Sequence, residues 1–216
     1  LNERSQEFGA ISGDQSIEHN GEQLTMQQAA QLLKDKDESL RKSTFEKMAE
    51  RRAKDKTTLD DLFTELVQLR NQVAVNAGFE NYRDYKFIEL GRFDYSKEDC
   101  FAFHDAIKKE IVPIVKQIQL KNLDTLGLEE FKPWDLELDP DGLAPLKPFK
   151  SGEELLDGTI ALLNKIDPYF SDCLKTMKEM EYLDLESKKG KAPGGYNYPL
   201  YEIGVPFIFM NAVGSQ

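Results

Sequence analysis

Two histidines, His19 and His104, are the whole supply of the side chain most often used as a general base or zinc ligand. Neither stands in the H-E-x-x-H spacing that sets two ligands on one helix face, and no complete zinc site can be assembled from this chain. His104 falls between Phe101 and Ile107 on an apolar stripe, which predicts a packed ring, whereas His19 beside a turn reads as solvated. Cys100 and Cys173 have neither metal-like spacing nor an activating partner, and read as core residues of a protein in a reducing compartment, the cytoplasm. Among the carboxylates, Glu50, Asp55, Asp60 and Asp61 read as solvated helix faces and caps. Asp135 stands apart because the sole tryptophan, Trp134, can shelter it, although a loop Asp more often makes a turn. Lys188, Lys189 and Lys191 could meet a carboxylate or phosphate, but Gly190-Lys191 lacks the spacing of a phosphate loop and follows no buried strand, so a nucleotide site is excluded.

The stretch with the most chemistry in it closes the chain. Lys188-Lys-Gly-Lys-Ala-Pro-Gly-Gly-Tyr-Asn-Tyr-Pro199 is a basic, glycine-rich loop, and Val205-Pro-Phe-Ile-Phe-Met-Asn211 has the length and residue types of one strand. Pro206 suits a strand start or an edge. Gly194 and Gly195 let another chain approach closely. An edge strand beside such a loop can hold an extended peptide by main-chain pairing; equally, the run can be a hairpin closing a hydrophobic core.

Composition sets the frame. A net charge of -11 argues against a nucleic-acid backbone or an anionic membrane as the main partner. No apolar run reaches the roughly 18 residues of a membrane span, and no signal peptide is evident. The first residue is Leu1 rather than Met, which points to a start outside this sequence.

The pattern along the chain predicts a mainly α protein. A hairpin is expected over 14–24 around Asn20-Gly21. Thr25 with Gln28 opens a helix to about Lys34, and a second helix follows Asp37 to about Ala53. Thr57 and Thr58 signal the next start, and Leu59, Leu62, Phe63, Leu66, Leu69 and Val73 then recur at helical spacing up to Gly78. A short helix spans 81–90. Ser96 with Asp99 starts a long one, in which Pro113 predicts a kink or break. Residues 127–150 carry four prolines and no period, so a long irregular connection is expected. Ser151 and Pro168 begin two more helices. The expected organisation is a helical lobe with the hairpin over 1–90, and a helical segment over 91–216 leading into the glycine loop and an edge strand.

Gly190-Lys-Ala-Pro-Gly-Gly-Tyr196 and Pro206-Phe-Ile-Phe-Met-Asn211 resemble the oligoendopeptidase F and thimet oligopeptidase family of zinc metallopeptidases. In that family a Gly-Lys…Gly-Ala/Gly-Tyr/Phe segment precedes a Pro-aromatic/aliphatic-Asn strand, and the H-E-x-x-H helix follows shortly. Asn76-Ala-Gly-Phe-Glu-Asn-Tyr-Arg-Asp-Tyr85, the helix with Pro113 and the Trp134-Asp-Leu136 loop are similar in the same order. The resemblance implies a two-lobed helical enzyme acting on short peptides, in which zinc polarises the scissile carbonyl and generates the attacking hydroxide. It also implies that this chain stops before the zinc helix. The metal ligands and general base would then lie in a missing carboxyl-terminal catalytic half, and the chain alone would bind no zinc and be inactive. Gly194, Gly195, Tyr196, Phe207, Asn211 and Ala212 are the implied substrate-side residues. An exposed closing strand would invite self-association. The alternative is a non-catalytic helical binding or scaffold module.

Overall fold

The computed structural model describes residues 1–214; Ser215 and Gln216, the end of the closing stretch, lie outside the described residues. Helix α1 (Asn2–Asp14) leads into the hairpin β1 (Ser16–His19) and β2 (Glu22–Thr25). The turn is tight because Asn20 and Gly21 both take positive φ, 53° and 83°, the combination that matches strand twist in a two-residue loop. Thr25 then caps α2 (Met26–Gln31) with the full reciprocal box: its hydroxyl accepts from Gln28 N, and Gln28 Oε1 accepts from Thr25 N. A 3-10 turn over Leu32–Lys34 follows, then α3 (Glu38–Lys54) and α4 (Lys56–Asn76). The start of α4 precedes the threonine signal. Asp55 occupies its N-cap without a side-chain cap bond, so the two helices nearly abut and Thr57 and Thr58 fall inside the first turn.

Helix α5 (Tyr82–Glu89) is capped by Asn81, and α6 (Lys97–Ala106) by the Ser96–Asp99 box. Pro113 neither breaks nor ends the long helix. Five residues of π-helix, Ile107–Ile111, carry the chain into α7 (Val112–Leu126), so that Pro113 stands in the first turn of a new α segment, where its missing N–H costs nothing. Residues 127–150 form neither helix nor strand, as their prolines predict. Helices α8 (Gly152–Ile166) and α9 (Pro168–Glu179) pack on each other, capped by Ser151 and Asp167.

Contacts divide the chain into two units. The first comprises Leu1–Phe8, Asp55–Lys132 and Pro140–Gly142. Leu62, Leu66 and Ala74 of α4 are its buried apolar residues, and Arg4 binds Glu65 through both oxygens at 2.8 and 2.5 Å. His104 belongs to this unit and is exposed, not packed: Arg83 lies 5.7 Å from the centroid of the nearby Phe101 ring, but among the described residues no helix or strand other than the adjoining π segment packs closely on the stripe. The second unit comprises Gly9–Lys54, Pro133–Asp139 and Leu143 onward. Its hairpin-side core is Ile17, Met26, Ala29 and Met48.

A three-stranded sheet ends the second unit: β3 (Leu183–Glu186), β4 (Tyr196–Tyr198) and β5 (Phe207–Ala212), in the order β3-β5-β4. The expected closing strand is therefore present, but it is the central strand and not an edge. Strand β3 runs parallel to it, with Leu183 opposite Ile208, and β4 runs antiparallel, with Tyr196 opposite Phe209. At three or four residues each, Tyr-Asn-Tyr and Leu-Asp-Leu-Glu are too short to show a strand period in sequence.

Candidate functional site

The sheet has two outer strands, β3 and β4; β3 is mostly half-buried, and β4 is the exposed edge. Main-chain pairing joins it to β5 on one side, and no strand lies on the other among the described residues. Side chains alternate across a strand, so Tyr196 and Tyr198 share a face with Phe207 and Phe209. The Tyr196 and Phe209 rings stack at 4.9 Å and 6°, and Tyr182 lies 6.4 Å from Phe207. The result is an open aromatic groove of about 540 Å³ lined by Tyr196, Tyr198, Leu200 and Phe207. Tyr196 and Tyr198 are more than half exposed.

The glycine loop that delivers β4 is pinned at several points. Asn211 of β5 is buried, and its Nδ2 donates to Ala192 O at 2.7 Å and Gly194 O at 2.9 Å. Its Oδ1 is buried with no hydrogen-bond partner among the described residues. Gly195 passes so close to β5 that an added Cβ would sit 3.1 Å from Phe209 O. From below, α1 meets the loop: Gly190 N donates to Gly13 O at 2.9 Å, and a Cβ on Gly13 would lie 2.8 Å from Lys191 O.

Lys191 ties the loop to β3. Its ammonium donates to Asp184 O at 3.0 Å and Glu186 O at 2.8 Å, meets Asp184 Oδ1 at 3.0 Å, and lies 4.5 Å from the Phe209 ring centroid. Its side chain is only 7% exposed, so the charge is held by named partners and not by solvent. Burial pushes the Asp184 carboxyl up. The hydrogen bond and charge of Lys191, with Lys188 adding to them, outweigh that and hold it below the usual carboxylate range. The β3–β5 register shifts between Asp184 and Glu186, and Lys191 collects the carbonyls at both ends of that irregularity.

The six residues expected on the substrate side thus separate by position. Gly194, Gly195 and Tyr196 lie along the exposed loop and edge; Phe207 is half-buried in the groove floor; Asn211 and Ala212 are buried. Sequence reasoning missed Lys191 as a clamp and β4 as the edge. Among the described residues, no group of three His, Cys, Asp or Glu side chains could hold a metal ion, and no helix is long and apolar enough to cross a membrane.

Trp134 and Asp135 do other work in the same unit. Asp135 is buried against Arg41, whose Nη2 donates to its Oδ1 at 2.6 Å while Nη1 donates to Asp35 O and Lys36 O, both at 2.9 Å. Trp134, next to Asp135 in the chain, packs on the helix that carries Arg41: its ring centroid lies 6.1 Å from that of Phe45 and 5.6 Å from the Lys42 ammonium. The arrangement fastens the long connection to α3 and leaves Asp135 remote from solvent chemistry.

The chain is thus mainly helical and carries a small mixed sheet whose outer antiparallel strand, β4, is short and exposed. Residues 31–216 match the model of peptidase family M3, and the chain belongs to that family. The whole chain superposes on PZ peptidase A with an inhibitor at a TM-score of 0.91 and 27% identity, covering 38% of that chain. It superposes equally on a candidate oligoendopeptidase F from Bacillus anthracis str. Ames at a TM-score of 0.92 and 25% identity, covering 39% of that chain. This sequence therefore spans well under half the length of those structures. No curated protein matches it at comparable stringency.

Proposed function

We propose that this chain is the lobe and substrate-side sheet of a longer M3 zinc oligopeptidase that hydrolyses internal bonds of short peptides. The metal, its ligands and the general base belong to polypeptide outside these 216 residues. The family match over residues 31–216 carries this reading, and the open β4 edge supports it, since an extended peptide can add to β4 as a further strand. In this arrangement Tyr196 and Tyr198 flank the peptide's side chains and Phe207 floors the groove. Asn211 and Ala212 act from below: Asn211 fixes the loop carbonyls that set the position of Gly194 and Gly195. These residues bind and orient; no bond-breaking step is assigned to them.

The free cysteines Cys100 and Cys173 agree with a cytoplasmic setting, which belongs to this proposal. The test is kcat/KM of the longer protein on several quenched short peptides, with Tyr196→Ala beside wild type. The proposal expects a drop of about 10-fold or more, equivalent to roughly 1.4 kcal/mol of lost transition-state binding. Unchanged kcat/KM on all of them removes Tyr196 and the β4 edge from the site.

A further inference from the structure

Exposed apolar side chains occur in several places on this chain, and a continuous run of them lies not on the closing strand but on the helix from Lys97 to Leu126. Residues Phe207 to Met210 of β5 are half-buried, whereas Phe103, Ile107, Ile111, Ile114 and Ile118 are all exposed, Phe103 by 64% and Ile118 by 54%. Their spacings of four, four, three and four keep them on one side of the helix. Val112 and Leu120, on the opposite flank, are also more than half exposed. An apolar stripe of this length ordinarily faces a core, yet among the helices and strands of the described residues α6 and α7 pack closely only on the π segment that joins them.

The surface of the whole chain agrees. Its accessible area is 15179 Å², whereas two independent compact domains sharing its mass would expose at most about 12,200 Å². The excess holds however the two units are arranged.

We infer that the α6–α7 helix is the principal docking surface for the remainder of the longer peptidase, an inference that rests on the function proposed above. The occupant is apolar and is intramolecular in the complete protein. Two observations favour it over a second copy of this chain. The matched structures are more than twice as long as this sequence, which leaves over half of such a protein available to cover the helix. A two-fold pair of copies joins the same patch on each, and would leave the Val112 and Leu120 flank bare.

The test introduces Ile118→Cys and, separately, Leu120→Cys into both the 216-residue chain and the longer protein, with Cys100→Ser and Cys173→Ser in all of them. Maleimide labelling rates are measured over a range of protein concentrations, and peptide cleavage is measured in parallel for the longer forms. Both thiols are expected to label about 100-fold slower in the longer protein, as side chains reached only through local opening, and at a concentration-independent rate in the short chain. Equal rates in an active longer protein overturn the inference and leave the functional reading standing. Labelling of the short chain that slows with concentration assigns the face to a second copy and also overturns it. A longer protein that cleaves no peptide even with Ile118 and Leu120 intact refutes the functional reading itself.

Discussion

Replacing Asp135 by Leu removes the carboxylate that Arg41 meets at 2.6 Å, in a place where the arginine side chain is 4% exposed. The guanidinium then keeps two carbonyl acceptors, Asp35 O and Lys36 O, and the weaker, unbonded attraction of Asp37, but no paired carboxylate. Breaking a buried pair from one side costs about 3–5 kcal/mol, a large share of the roughly 5–15 kcal/mol that holds a domain folded. With a urea m-value of about 2 kcal/mol/M, the midpoint falls by about 2 M. Arg41→Met in the same background removes the stranded charge, and leaves the two carbonyls short of a donor at about 1 kcal/mol each. The double variant is therefore more stable than Asp135→Leu alone. Trp134 is the natural probe, because it is the sole tryptophan, adjoins Asp135 in the chain and packs near Phe45 of the helix that carries Arg41, so its fluorescence reports the unit that contains the pair. A midpoint for Asp135→Leu within about 0.5 M of wild type, or a double variant that loses the sum of the two single losses, would refute the reasoning.

Further predictions concern the loop and β4. Asn211→Ala deletes both donations to Ala192 O and Gly194 O, so amide exchange at 193–198 should accelerate by at least about 10-fold, for a net loss of roughly 1–3 kcal/mol; an unchanged exchange pattern would count against the clamp. Lys191→Met keeps the aliphatic stem but removes three polar contacts at the β3 irregularity, and should loosen the loop and β3 together, whereas a change confined to one of them would show that Lys191 does not join them. The Asp184 carboxyl lies below its unfolded value, so its contribution to stability is present above about pH 4 and is lost as pH falls through the lowered folded value. Asp184→Asn should therefore flatten the acid limb of the stability profile. An acid limb identical to wild type would remove that ion pair from the account.

What the sequence discloses and what it hides divide by range. Ser96 with Asp99, Thr25 with Gln28 and Asn20-Gly21 act within four residues, and each marks its element correctly. The Arg41–Asp135 pair joins positions 94 apart, and nothing local marks Arg41 among the cations of a helix with Arg51, Arg52 and Lys54 at its end. Strand β5 is legible because six apolar-rich residues follow a proline; that it is central depends on β3 and β4, which are too short to signal themselves. Helix α1 is polar and without a strong period, and its role comes from contacts distant in sequence, Arg4 with Glu65 and Gly13 with the glycine loop. His104 was expected to pack because it lies on an apolar stripe, and the stripe is real. Among the described residues no helix or strand other than the adjoining π segment packs closely on it, and the ring is exposed.

The most direct measurement of the central claim is zinc content and quenched-peptide cleavage of the longer protein beside the 216-residue chain. One bound zinc per molecule and cleavage lost on chelation are expected of the longer protein, with neither zinc nor cleavage from the chain alone. A longer protein that holds no zinc and cuts no peptide, or a short chain that does both, would contradict the account.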